Sequence, residues 1–267
     1  MDLGLQDRAC IVTGASAGIG AATATMLAAE GASLLLVGRR QEALAQVAQA
    51  CLAHDGARVR TLAIDVTRPA AGREVVNACL DGFGRIDVLV NNAGGGSGAR
   101  SLEALRDQDW QAQFEVHVLA PMRLMRAAAP EMASRNWGRI VNVTSSSGKR
   151  PSRTNMAYAA SKAAQLSLSR SFADLYAREG VLVNSVAPGP TTTRAWTGEG
   201  GLLDELSRAE GKTREQVLAE RSAGIPLGRF ATSEEIAAVI VFLCSEQAGT
   251  VAGAAWSADG GSVAVII

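Results

Sequence analysis

Aromatic residues are scarce in this chain of 267 residues, at 4%, and histidine occurs only twice, as His54 and His117. Two histidines are too few for a histidine-based zinc centre. The four cysteines (Cys10, Cys51, Cys79, Cys244) form neither a CxxC pair nor a metal-ligand spacing. No metal is expected, and the scatter favours a reduced, cytoplasmic protein over a disulfide scaffold. Neither sign of charge is in excess, with 26 Lys and Arg against 26 Asp and Glu. Without a net field, neither nucleic acid nor a membrane surface is an expected partner. Long apolar runs are missing too: Ile236–Cys244 is far below the roughly 18–20 residues a membrane helix needs. The opening segment has no basic stretch followed by an apolar one, so no leader is expected. At 48% hydrophobic and 19% charged, the chain is not of the disordered class.

What is present is alternation. Ala9–Thr13, Ser33–Val37, Val59–Ile64, Ile86–Val90, Ile140–Val143 and Val181–Val186 are short, nearly continuous apolar runs, as strands buried on both faces should be. Helical patterns separate them over Ile19–Glu30, Gln41–Ala53, Ala70–Phe83, Asp107–Ser134 and Asn155–Arg178. This β-α rhythm predicts an α/β fold of the doubly wound Rossmann type, a parallel sheet with helices on both faces. No linker or repeat interrupts it, so a single domain over residues 1–267 is expected. The polar, glycine-containing stretch from Pro190 to Gly224 breaks the rhythm and is expected to be a substrate loop or lid with two short helices.

The first strand runs into Thr13–Gly20, TGASAGIG, and then a helix. The spacing of Gly14, Gly18 and Gly20 is GxxxGxG, not the usual GxGxxG, but the physics is shared. Glycines make the tight turn and let backbone approach a pyrophosphate at a helix N-terminus. A plain glycine-rich turn is the bland alternative. The second strand ends at Gly38-Arg39-Arg40, where an NAD site usually carries an acid for the ribose 2′-hydroxyl. Guanidinium groups there suit a 2′-phosphate, so NADP is expected over NAD.

Further along stand Asn91-Asn92-Ala93-Gly94, Ser145, and Tyr158 four residues before Lys162. With Asp65-Val66, Pro188-Gly189, Thr193 and Asp259-Gly260-Gly261, these residues in this order make the chain resemble the short-chain dehydrogenase/reductase family over nearly its whole length. Tyr158 and Lys162 share one helix face, and a nearby ammonium is expected to lower the phenol's pKa. Ser145 can donate to a carbonyl oxygen that gains charge during hydride transfer. The resemblance implies that Tyr158 is the acid in reduction and the base in oxidation, that Ser145 orients the carbonyl, and that Lys162 also holds the nicotinamide ribose. It implies a cofactor held by Gly14, Ser16, Gly18, Ile19 and Gly20, with Arg39 and Arg40 at the 2′ position and Asp65 and Val66 at the adenine. Asn91, Ala93 and Gly94 would border it, and Pro188, Gly189 and Thr193 would lie along the nicotinamide.

One residue departs from the family pattern. His117 stands where an asparagine is usual, at a local helix distortion associated with a proton-relay water. It enters as a catalytic candidate, either through an altered relay or as a structural substitute, and asparagine is expected to be tolerated in its place. Gly95, Gly96, Ser147, Met156, Pro190 and Trp196 are the substrate-facing candidates, with Trp196 either capping the substrate or anchoring its loop. Lys149, Arg150 and Arg153 could meet an acidic group or be merely solvated. The apolar end Val263–Ile267 suggests burial against a second copy, with packing onto its own subunit as the alternative, and the resemblance implies a homotetramer. The expected activity is NADP(H)-dependent transfer of hydride between nicotinamide and a small-molecule or thioester ketone, most like the 3-oxoacyl-acyl-carrier-protein reductases. The alternatives are an NAD-dependent dehydrogenase of a small alcohol, sugar or steroid, and a non-enzymatic cofactor-sensing or scaffold protein.

Overall fold

In the computed structural model, residues 2–96, 101–151 and 154–264 are described. The six expected strands are present as β1 (Ala9–Thr13), β2 (Ser33–Gly38), β3 (Arg58–Ala63), β4 (Val88–Asn91), β5 (Gly138–Val143) and β6 (Val181–Pro188). A seventh, β7 (Ala255–Ala258), was not expected. Its four residues, Ala-Trp-Ser-Ala, carry no β-branched side chain and no apolar run. It becomes a strand because β6 offers a free edge, pairing from Ser185 with Ala255 to Pro188 with Ala258. The sheet is parallel in every pair, in the order β3-β2-β1-β4-β5-β6-β7.

Side-chain alternation divides the core in two. Cys10 and Val12 of β1 pack with Leu27 and Ala28 of α1 (Gly18–Ala29), Leu44 of α2 (Gln41–Leu52) and Ile240 of the C-terminal helix Ser233–Cys244. Ala9 and Ile11, one residue out of phase, pack with Val75 and Val76 of α3 (Ala71–Phe83) and with Leu124 and Met125 further along. Both faces of the strands are therefore covered, which is why they are apolar without alternation.

The stretch expected as one helix over Asp107–Ser134 is three pieces. These are α4 (Asp107–Phe114), a π-helical turn (Glu115–Leu119) and α5 (Ala120–Ala133). Within the turn's exit, the Ala120 N–H bonds Glu115 O five residues back, which inserts an extra residue in one turn. His117 lies at its centre. Beyond β5 come the single turn α6 (Ser146–Lys149) and the long α7 (Met156–Tyr176).

The excursion after β6 holds three short helices rather than two: α8 (Arg194–Thr197), α9 (Leu202–Glu210) and α10 (Arg214–Ala223). Arg214 pairs with Asp204 and donates to Thr197 O, tying the three together. The last helix, α11 (Ser233–Cys244), contains the apolar run Ile236–Cys244. Its start is a capping box between Thr232 and Glu235, readable in the sequence as T-x-x-E. No helix among the described residues is long and apolar enough to cross a membrane. Of the apolar C-terminal end, Val263 is buried and its N–H bonds Asp259 Oδ2, whereas residues 265–267 lie outside the described residues.

Candidate active site

The chain winds outward from β1 to β3 and then returns to lay β4 on the other side of β1. Between the carboxyl ends of β1 and β4 the following loops diverge, and a crevice opens at this switch point. It encloses about 780 Å³. Gly14, Ser16, Gly18 and Ile19 form its floor, and Arg39, Arg40, Asp65 and Val66 its far end. Ala93, Gly94, Gly95 and Gly96 line the other side, and Thr193, Arg194 and Gly201 close the rim.

The glycine turn has the geometry its residues allow. Gly14 and Gly18 have φ of +65° and +56°, which other L-residues rarely adopt. A Cβ at Gly20 would meet Gly14 O at 2.4 Å, so this residue lies behind the floor and permits its close packing. The first turn of α1 has no acidic residue and no side-chain cap, leaving its N–H groups directed at the crevice.

Asn91 does not border the groove as expected. Its side chain is buried and its Nδ2 donates to Asn142 Oδ1 at 2.8 Å, bracing β4 against β5. Asn92 takes its place on the wall and donates from Nδ2 to Thr13 O and Gly14 O at 3.0 and 3.3 Å. Strand alternation explains the exchange: Asn91 ends β4 facing the core, and the next residue turns the other way. Asp65 has its Oδ1 engaged by the N–H and hydroxyl of Thr67 at 3.0 and 2.8 Å. The Thr67 backbone and hydroxyl hold its carboxyl below the usual range, with Arg39 adding to the effect. Arg40 donates to Ser16 Oγ at 3.4 Å across the far end.

Gly94 joins the groove to a second cluster. A Cβ there would lie 2.7 Å from His117 Nε2 and 3.9 Å from Lys162 Nζ. Ser145 caps α6, its Oγ accepting from Ser147 N at 3.1 Å, and its side chain hydrogen-bonds Tyr158. Lys162, wholly inside, donates to Val143 O at 2.8 Å and Gln165 Oε1 at 3.0 Å, with Nζ 5.7 Å from the Tyr158 ring centroid. Burial pushes the ammonium down to about 7. Burial also raises the Tyr158 phenol, with the Ser145 hydrogen bond opposing it. The lowering expected from Lys162 is thus reversed in direction, because desolvation outweighs a charge that is itself weakened by burial.

Other expected residues are placed as follows. Pro188 ends β6 beside Ala258, and Gly189 lies against the Asp259 backbone, at 2.8 Å from a Cβ added there. Met156 opens α7, and Pro190 O accepts from Ala231 N. Trp196 packs edge-to-face on Phe230 at 4.9 Å, so its ring anchors α8 to the body instead of capping the crevice. Lys149 bonds Ala255 O and Ser257 Oγ of β7 at 2.6 and 2.9 Å, and Arg153 lies outside the described residues. Among the described residues no cluster of His, Cys, Asp or Glu could hold a metal.

Sequence reasoning missed Asn92, Gln113, Ser161 and Gln165. Gln113 lines the groove from α4, and its buried Oε1 has no hydrogen-bond partner. Ser161 and Gln165 were detectable in principle: with Tyr158, Lys162 and Ser169 they form a polar stripe at helical spacing on a largely buried face.

His117 is fully buried and its pKa falls to about 2, first through burial and then through the charge of Lys162. In the unfolded chain an ordinary imidazole gains its proton below about pH 6.5, while the folded one does not. The folded state is therefore fully favoured above that value and loses stability as pH falls, by about 2 kcal/mol between pH 7 and pH 5. Urea unfolding of the protein and of His117→Gln at both pH values measures this. The variant should lack that share of the loss, and identical losses would contradict the burial of a neutral ring.

A family model described as short chain dehydrogenase matches residues 8–200. The 3-oxoacyl-acyl-carrier-protein reductase of Thermotoga maritima is 35% identical, over 97% of this chain and 99% of its own length. The D-beta-hydroxybutyrate dehydrogenase of Cupriavidus necator is 34% identical, over 97% and 99%. The crystal structure of L-sorbose reductase from Gluconobacter frateurii, complexed with NADPH and L-sorbose, matches all of both chains with a TM-score of 0.93 and 34% identity.

Proposed function

Since the chain belongs to the short-chain dehydrogenase/reductase family, oxidoreductases that interconvert alcohols and carbonyls, we propose that it is an NADPH-dependent reductase of ketones, of the 3-oxoacyl thioester type or a related carbonyl. The observation that carries this reading is the junction at Gly94, where a groove fitted to a dinucleotide meets the Ser145–Tyr158–Lys162 cluster.

The fit of the groove rests on this chain's own atoms. The glycine turn leaves room that side chains would fill, the α1 N-terminus presents N–H groups for a pyrophosphate, and Gln113 Oε1 has no protein donor. Gly14, Ser16, Gly18 and Ile19 would hold the cofactor's phosphates and ribose, with Thr193 across from them. Val66 and Asp65 would flank the adenine. Arg39 and Arg40 favour a 2′-phosphate, since the acid at that end, Asp65, is committed to Thr67. When bound, the reduced nicotinamide supplies the hydride.

The chain's residues supply the rest. Ser145, whose oxygen accepts from Ser147 N and whose side chain meets Tyr158, would turn its hydroxyl hydrogen to a carbonyl oxygen seated between the two. Tyr158, with its pKa raised, stays protonated at neutral pH and can give its proton to the oxygen that hydride transfer makes basic. Lys162, fixed by Val143 O and Gln165 Oε1, lies beside the ring and would hold the nicotinamide ribose. The start of α8 and the turn at 199–201 form part of the rim, and the 190–224 stretch would cover the substrate. Trp256, half-exposed on edge strand β7 and stacked on Phe242, supports assembly of copies through that edge, with a homotetramer as the proposed state in the cytoplasm.

A panel of 3-oxoacyl thioesters, cyclic diketones and ketoses, each assayed with NADPH and NADH, tests the reading. Turnover should occur with NADPH on at least one ketone class. NADPH binding without turnover on any of them would favour the non-enzymatic alternative.

A further inference from the structure

We propose that His117 is a positioning residue: a fixed hydrogen-bond acceptor that pins the Gly94–Gly96 loop to the helix carrying Tyr158 and so sets the width of the gap where a carbonyl would sit. This rests on the reading of that gap as the substrate position.

The direction of every proton in the linkage follows from its neighbours. Ser161 has one hydroxyl hydrogen, and it is given to Tyr158 O at 2.7 Å. Its oxygen can therefore only accept in its 3.0 Å contact with His117 Nδ1, so Nδ1 carries the ring proton. Nε2 is then bare, and it accepts from the Gly95 N–H at 3.3 Å. The chain Gly95 N–H to His117 to Ser161 to Tyr158 O joins the loop after β4 to α7 through one side chain on the π-helical turn.

Contacts beyond hydrogen bonds reinforce this. The imidazole meets the Tyr158 ring edge-on, with centroids 5.2 Å apart at 85°. The loop lies so close to the ring that a methyl at Gly94 would stand 2.7 Å from Nε2. One rigid ring thus spaces the loop on one side and the phenol on the other. The ionisable groups facing it are Lys162 and Tyr158, and with a pKa near 2 the ring stays neutral throughout any working range. The clamp therefore holds without any change of charge on the ring.

The geometry also changes what substitution should do. Glutamine has an acceptor oxygen at about the reach of Nε2. Asparagine is one carbon shorter, so its oxygen falls near the Nδ1 position and leaves Gly95 without an acceptor. Against the expectation from family resemblance, His117→Asn should be the harmful change and His117→Gln the tolerated one.

The test measures kcat and KM for a reduced ketone across pH 6–9, together with hydrogen exchange at the Gly95 amide in the absence of substrate. His117→Gln should keep kcat/KM within about threefold, and His117→Asn should lower it about five- to tenfold, as for loss of one hydrogen bond. The Gly95 amide should exchange faster in His117→Asn than in either other protein, and pH profiles should keep their shape. Should His117→Asn not fold, His117→Leu, which fills the space without an acceptor, takes its place. Equal kinetics and equal exchange in all variants would overturn the proposal, as would a pH profile that moves when the imidazole is removed. Failure of every ketone to react would count against the functional reading alone, because amide exchange still reports on the clamp.

Discussion

Tyr158→Phe is expected to lower turnover at least about a hundredfold, within the 10²–10⁴ that positioned proton transfer usually contributes, while leaving fold and cofactor affinity nearly unchanged. The change removes one oxygen. The ring keeps its edge contact with His117, and Ser145 keeps its bond from Ser147 N. What disappears is the donor proposed to meet the carbonyl oxygen as it gains charge. Because burial raises the phenol above its ordinary value near 10, the acid form persists through neutral pH. Ketone reduction by the unmodified protein should therefore be limited by loss of this proton only on the alkaline side. Single-turnover rates, thermal melts and NADPH titrations of the variant separate chemistry from folding and binding. Turnover close to that of the parent protein would remove Tyr158 from the chemistry.

Exchanging Gly38 for aspartate and Arg39 for a neutral residue is expected to reverse the coenzyme preference. The parent protein should prefer NADPH by roughly ten- to 150-fold, since a hydrogen bond to a charged partner contributes about 1.5–3 kcal/mol. Arg39 and Arg40 both line the far end of the groove. A carboxylate at position 38 would repel a 2′-phosphate and accept from a ribose hydroxyl instead. The position can take the side chain: a Cβ at Gly38 would lie 3.3 Å from Leu44 Cδ2, the movable end of a leucine, and 3.7 Å from Ser16 Cβ. Dissociation constants of both coenzymes, for parent and double variant, decide the matter. Tighter NADH binding by the parent would mean that Arg39 faces solvent, and would favour the NAD-dependent alternative.

The candidate site divides unevenly between what local pattern reveals and what it conceals. The glycine turn, Arg39 with Arg40, and Tyr158 with Lys162 are legible as local spacings, whereas Asp65 enters only through the family resemblance. Asn91 was expected beside the groove, and it is Asn92 that lines it, because adjacent asparagines at a strand end differ only in the face they take. Asn91 finds Asn142, 51 residues away, and no local signal announces that partner. Trp196 allows two readings from sequence, and the partner that anchors its ring, Phe230, lies 34 residues further along the chain. The C-terminal helix α11 could have been found from its Thr232–Glu235 capping box, and strand β7 could not have been found from its composition.

By itself the sequence determined the parallel α/β fold, the glycine turn after the first strand, and the Tyr158–Lys162 pair as the proton-transfer candidates. Those features depend on period, turn chemistry and short spacings, which act over a few neighbouring residues. Only the tertiary structure decided how those groups are tuned. It set the direction of the Tyr158 and Lys162 shifts, the proton position on His117, and the tie from Gly95 through Ser161 to Tyr158. The physical reason is that desolvation and hydrogen-bond partnership depend on what the fold packs around a group. For Lys162 that means the end of β5 as well as its own helix, and the sequence places those atoms 19 residues apart.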